Sequence, residues 1–187
     1  MDLSELPDEE LAARTQDGEV RAFAEIINRY QKRLLRYGRR FLRNTEDVED
    51  AVQDALLNAY RNIAGFRTGE RLSPWLYRIA HNTFVSLIRS RKREPLPFFD
   101  PDSLFPHPVA PDQSDSVADV AMIRRQLDRG LAALDAKYRE ILVLRYDHNL
   151  SYAEISDVLR LPLGTVSIRI KRALAKLQSQ FNDHDRA

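Results

Sequence analysis

The sequence predicts an all-α protein built as two small helical domains joined by a proline-rich acidic linker, and three observations carry that prediction. Apolar residues recur at spacings of three and four through most of the chain, the period of a helix with one buried side. Six of the nine prolines fall between Glu94 and Ser116, a segment with five acids, no Lys or Arg and no helical period. Beyond it, Ser151 to Leu177 carries the punctuation of two short helices joined by a tight turn. The boundaries are residues 1–93, 94–116 and 117–187, with 17, 0 and 12 basic residues against 14, 5 and 9 acidic ones. The whole-chain charge of +1 hides segment charges of +3, −5 and +3.

In order, Asp8 to Gln16 predicts a short helix closed at Asp17-Gly18, where glycine supplies a left-handed conformation. From Glu19 to Arg43 a longer helix places Phe23, Ile27, Tyr30, Leu34 and Phe41 on one face. Arg29, Lys32, Arg33, Arg36, Arg39, Arg40 and Arg43 make a basic back, which by itself reads most simply as a solvated face. Thr45 to Ile63 is a helix whose buried side is Val48, Ala51, Val52, Ala55, Leu56 and Ala59. Opposite them Asp50, Gln53 and Asp54 surround Leu57, with Glu46 and Asp47 nearby. One exposed leucine is ordinary, but an aliphatic centre inside a charged rim is also how a protein contact is built.

Ser73-Pro74 reads as N-cap and first position of a helix to about Arg93. Leu76, Ile79, Ala80, Thr83 and Leu87 form its expected buried stripe. Trp75, Arg78, Asn82, Val85 and Arg89 form a second, outward stripe, which suits unstacked nucleic acid: a ring to stack on, cations for phosphate and an amide for a base edge. A half-buried core tryptophan is the competing reading. The linker predicts two halves held apart and free to reorient, with Phe98, Phe99 and Phe105 docked locally.

The second domain opens with Val120, Ile123, Leu127, Leu131 and Leu134 on one helix and Tyr138, Ile141, Leu142 and Leu144 on the next. Asp147-His148-Asn149 follows as a turn, asparagine tolerating the left-handed region. Ser151 and Glu154 then make a capping box, each side chain bonding the other's amide. Leu161-Pro162-Leu163-Gly164 interrupts that helix, with proline suited to the first position of the next. There Val166, Ile170, Ala173 and Leu177 share the core face, while Thr165, Ile168, Arg169, Lys171, Arg172 and Lys176 point away. Such a set bonds phosphates and guanines, and Ile168 could touch a thymine methyl. A solvated basic face is the plainer alternative.

With no cysteine in the sequence, disulfides and cysteine-ligated zinc are excluded. His81, His107, His148 and His184 show no ligand spacing, so no metal and no cofactor is expected, and no catalytic constellation argues for an enzyme. No apolar run reaches membrane-spanning length and the first residues are acidic, which predicts a cytoplasmic protein.

Two blocks, EDVEDAVQDALLNAYRNI with FRTGERLSPWLYRIAHNTF, and LDAKYREILVLRYDHNLSYAEISDVLRLPLGTVSIRIKRALAKL, together resemble the extracytoplasmic-function group of bacterial RNA polymerase sigma factors, in the sigma-70 family. The resemblance spans nearly the whole chain. It implies a region two domain before the linker, a region four domain after it, and core RNA polymerase, promoter DNA and an anti-sigma factor as partners. Asp47, Asp50, Gln53, Asp54 and Leu57 would then meet the clamp helices of the largest polymerase subunit. Trp75, Arg78, Asn82 and Arg89 would engage the melted minus-ten element, with a helix break near Asn82 where a flipped base is captured. Thr165, Ser167, Ile168, Arg169, Lys171 and Arg172 would contact the minus-thirty-five element. Position 167 is often basic in the group and 168 commonly serine, so the base preference of this chain is its own. The rivals are a stand-alone helix-turn-helix regulator and an RNA-binding or scaffold protein.

Overall fold

The computed structural model describes residues 2–42, 44–91 and 127–184, with side chains described to residue 90 in the second stretch and 179 in the third. The linker over 94–116, with Phe98, Phe99 and Phe105, lies outside the described residues, as do Arg43, Val120 and Ile123. The described backbone is almost wholly helical, and its one β pairing is an isolated bridge between Thr68 and Glu70.

Helix α1 (Asp8–Gln16) has the expected bounds and Gly18 the expected positive φ of 93°. Helix α2 (Val20–Gly38) buries Phe23, Tyr30 and Leu34 as expected, together with Ile26 and Tyr37. Arg29, expected on its basic back, instead ties down the N-terminal segment: Nη1 donates to Asp8 at 2.7 Å and to the Leu6 carbonyl at 2.8 Å, and Nε donates to Glu25 at 2.9 Å. Helix α3 (Thr45–Arg61) is N-capped by Asn44, whose side chain accepts the Glu46 amide at 3.1 Å, and its expected apolar side is buried throughout. Gly38 is closely packed: a Cβ there would stand 3.0 Å from the Val48 side chain and 3.1 Å from the Phe84 ring, so those side chains would have to give way.

Helix α4 (Leu72–Arg91) departs from expectation in three ways. It runs without a break past Asn82. Ser73 is not its N-cap but a buried residue of its first turn; the amide of Leu72 is capped from α1, by the Glu9 carboxylate at 3.1 Å. Finally, its buried stripe is Leu72, Leu76, Tyr77, Ala80, Phe84 and Ile88, while Ile79, Thr83 and Leu87 are only partly covered. The reason is that α4 packs on two sides, against α3 and against the C-terminal half, so no single apolar stripe describes it.

In the C-terminal half a helical stretch over 127–133 leads to α5 (Ala136–Leu142), which continues as a π turn over Val143–Asp147. Arg139 turns back to take the carbonyls of Leu131, Ala132 and Leu134 at 2.7–3.0 Å, satisfying the open end of that stretch. Asn149 has φ 55°, the left-handed turn expected of it. Helix α6 (Tyr152–Leu159) and helix α7 (Leu163–His184) are the predicted pair. The carbonyl of Pro162 accepts the Val166 amide at 3.1 Å, which places proline just outside the helix rather than at its first position.

The halves are not held apart. The Tyr37 hydroxyl donates to Glu140 Oε1 at 2.8 Å, His81 Nδ1 lies 2.8 Å from the same oxygen, and the Tyr77 hydroxyl and His148 Nδ1 are 2.6 Å apart. Arg71 reaches Glu154 at 2.8 Å at the rim. Linker composition does not decide whether the surfaces it joins fit one another; that depends on side chains 59 to 103 residues apart.

Candidate protein-partner and nucleic-acid interfaces

Helix periodicity on α3 presents Asp50, Gln53, Asp54 and Leu57 to one side, and all four are exposed, Leu57 at 45%. Asp47 is half-buried at the edge of this set. Leu57 and Gln53 line an open apolar groove between α3 and α2, completed by Val20, Phe23, Ile27 and Tyr60. Tyr60 went unremarked in the sequence although it stands three residues after Leu57; its ring packs on Phe23 with centroids 5.0 Å apart while 40% of the residue stays exposed. An aliphatic and an aromatic group at the mouth of an apolar groove, beside carboxylates, have the chemistry that suits a protein with apolar side chains and cations.

Asp54, at the far edge of this set, also borders a polar groove between α3 and α4 that holds Asn58, Asn82, Thr83 and Ser86. Asn82 is exposed there, so the structure brings it beside Asp54 rather than beside Trp75. Trp75 is not outward. It is 9% exposed and packs edge-on to Phe66 at 5.5 Å, so its ring is no stacking platform in this conformation. Arg78 is half-buried and Arg89 exposed. The sequence signal that could have flagged Trp75 was Phe66, an aromatic in the loop before α4.

In the C-terminal half both bonds of the capping box are present, the Glu154 amide to Ser151 Oγ at 3.2 Å and the Ser151 amide to Glu154 Oε2 at 2.6 Å. Burial pushes the Glu154 carboxyl up, but the Ser151 bonds and Arg71 outweigh it and hold the group below its ordinary value. The cap therefore stays charged and fixes the entry of α6. Arg160 then takes a left-handed conformation (φ 54°), the Leu161 amide bonds back to the Ser156 carbonyl at 3.1 Å, and α7 leaves at a new angle. Val166, Ile170 and Ala173 are buried, which turns Ile168, Lys171 and Arg172 fully outward and leaves Thr165, Ser167 and Arg169 half-buried beside them.

The closing contact between the halves escaped the sequence reading altogether. His148 is 3% exposed, and burial pushes its pKa down to about 4. Asp147 opposes that shift, whereas Arg33 and Arg36 on α2 and Arg40 just after it reinforce it. Its ring lies against Tyr77 and Tyr37, with centroids 4.4 and 5.7 Å away. Burial also raises the Tyr37 hydroxyl, with Glu140 adding to the effect. Among the described residues no group of acidic or histidine side chains is arranged to hold a metal ion, and no helix is long and apolar enough to cross a membrane.

Residues 26–94 match the family model of sigma-70 region 2, and residues 124–177 that of sigma-70 region 4. Over 178 residues the chain is 32% identical to the ECF RNA polymerase sigma factor SigW of Bacillus subtilis, covering 91% of this chain and 94% of that one. Among solved structures, CnrH in complex with the cytosolic domain of CnrY matches with a TM-score of 0.67 and 28% identity, over 94% of this chain and 97% of that one. The sigma factor RpoE of Bartonella quintana, solved with the anti-sigma factor NepR, matches with a TM-score of 0.67 and 25% identity, over 86% and 96%.

Proposed function

The chain belongs to the extracytoplasmic-function group of sigma-70 family RNA polymerase sigma factors, and from that premise we propose that it joins core RNA polymerase and directs it to a specific set of promoters in a stress or envelope response. It acts in the cytoplasm and catalyses no bond chemistry. The observation that carries the reading is the pairing, in one chain, of the Leu57 face on α3 with a capped helix-turn-helix whose outer face is cationic.

Asp47, Asp50, Gln53, Asp54 and Leu57 form the polymerase contact, with Tyr60 and the apolar groove extending it. Asn82 and Arg89, with Arg78 at the edge, meet the opened minus-ten strand across the polar groove, and Trp75 serves as the floor that holds α4 straight beneath them. Thr165, Ser167, Ile168, Arg169, Lys171 and Arg172 meet the minus-thirty-five duplex in the major groove. An anti-sigma factor is the expected negative regulator, competing for these faces. The test is reconstitution: the purified chain should form a stable complex with core polymerase and support run-off transcription from promoters the core alone ignores. Failure to associate with core would leave a free-standing helix-turn-helix regulator as the reading.

A further inference from the structure

Ile168 sits at the centre of the outer face of α7. At about 100° per residue it lies opposite the buried stripe of Val166, Ile170 and Ala173, and it is 53% exposed. The other exposed aliphatics of the helix, Leu163 and Leu174, lie close to the edges of that buried stripe, where partial exposure is ordinary. Along its own row Ile168 has Arg172 one turn on and otherwise only small residues. Gly164, one turn earlier, has no side chain, and a Cβ placed there would meet nothing within 4 Å; Ala175, two turns later, has only a methyl group. The rest of the rim is cationic or hydroxylic: Thr165, Lys171 and Arg172.

A branched aliphatic knob inside a cationic ring is poorly suited to a phosphate backbone and gains nothing from water. The major groove offers it one apolar feature, the 5-methyl group of a pyrimidine, which in unmodified DNA belongs to thymine. Arg172 is four residues further along, about 6 Å on, and a guanidinium pairs best with the O6 and N7 edge of guanine. Base steps are about 3.4 Å apart, so the two side chains reach bases one or two steps from each other.

We propose that Ile168 reads a thymine methyl in the upstream promoter element, one or two base steps from a guanine read by Arg172. This rests on the promoter-directing function proposed above and names what its second domain selects. The experiment uses the full chain in reconstituted holoenzyme. Promoter duplexes are first selected from a randomised upstream element, and each thymine of the selected element is then replaced singly by deoxyuridine, which removes only the methyl group. At one thymine the wild type should lose about fourfold in affinity, the worth of burying one methyl-sized group. Ile168→Ser should bind the thymine and deoxyuridine versions of that site equally, while still discriminating at the neighbouring guanine. A selected element without thymine near guanine would overturn the proposal. So would a wild type indifferent to every methyl, or an Ile168→Ser variant that keeps the methyl preference. A holoenzyme that forms and selects DNA but ignores methyl groups refutes this inference alone, whereas one that never forms refutes the function on which it rests.

Discussion

The outer faces of α3 and α7 are built alike and point to different partners. Each sets an exposed aliphatic residue, Leu57 at 45% and Ile168 at 53%, opposite a fully buried stripe and inside a ring of charge. On α3 the ring is Asp50 and Asp54 and the leucine opens onto an apolar groove with Tyr60 beside it. On α7 the ring is Lys171 and Arg172. The sign of the rim favours a cationic protein surface at α3 and a polyanion at α7, and the groove beside Leu57 adds apolar surface there. Exposure alone would have ranked the two faces equally.

The comparison breaks first at Leu57. Replacing it with glutamate should weaken core polymerase association by about 2 to 4 kcal/mol, the scale of a central interface residue, measured by fluorescence anisotropy; unchanged binding would mean the acidic rim is not a partner face. Arg172→Ala should lose about 1 to 3 kcal/mol on upstream-element DNA and relax selectivity at one position, with core association intact. Asn82 sharpens a third face: Asn82→Ala should reduce promoter opening several-fold at about equal core binding, because capturing an unstacked base is work worth a few kcal/mol. Permanganate reactivity of bubble thymines reports it. An undiminished bubble would separate the polar groove from strand capture.

Two smaller effects test the support rather than the faces. Ser151→Ala removes half of the capping box and should lower stability by about 1 kcal/mol, read as a shift in denaturant midpoint. His148 supplies a pH dependence whose sign follows from its lowered pKa. The folded, closed chain holds the ring neutral down to about pH 4, while a free imidazole protonates near 6.5. Unfolded chain therefore binds more protons across that window, and stability present above about pH 6.5 is lost as pH falls towards 4. Tyr77, Tyr37 and Asp147 face the ring, and Arg33, Arg36 and Arg40 add positive charge nearby. Relative to His148→Phe, the wild type should lose below about 1 kcal/mol between pH 7 and pH 6. A gap that does not change with pH would place His148 in solvent and the halves apart.

What could be read in order along the chain was whatever is local. Helix α1 has the expected ends because a glycine with positive φ needs no tertiary partner to stop a helix. The capping box closes within four residues, Asn149 turns on its own backbone, and the core faces of α3 and α7 follow from a period any helix must obey. Leu57 and Ile168 emerged by the same rule, as apolar residues opposite a buried stripe.

Beyond that reach, the outcome depended on what packs against what. Helix α4 has neighbours on two sides, so its apolar residues are spread around it. Trp75 lay in what looked like an outward row and is covered by Phe66 from the preceding loop. Its first amide is capped by a carboxylate 63 residues away, which leaves Ser73 with a different place than serine-proline implies. Tyr37 and Glu140 carry no signal of their own in the sequence, and His81 and His148 show only the absence of ligand spacing. Burial of polar groups becomes tolerable only when each finds a partner, and here the partners for Tyr37 and Tyr77 lie in the other half of the chain. Periodicity and caps are properties of a segment; the pairing that closes one half on the other is a property of the folded chain.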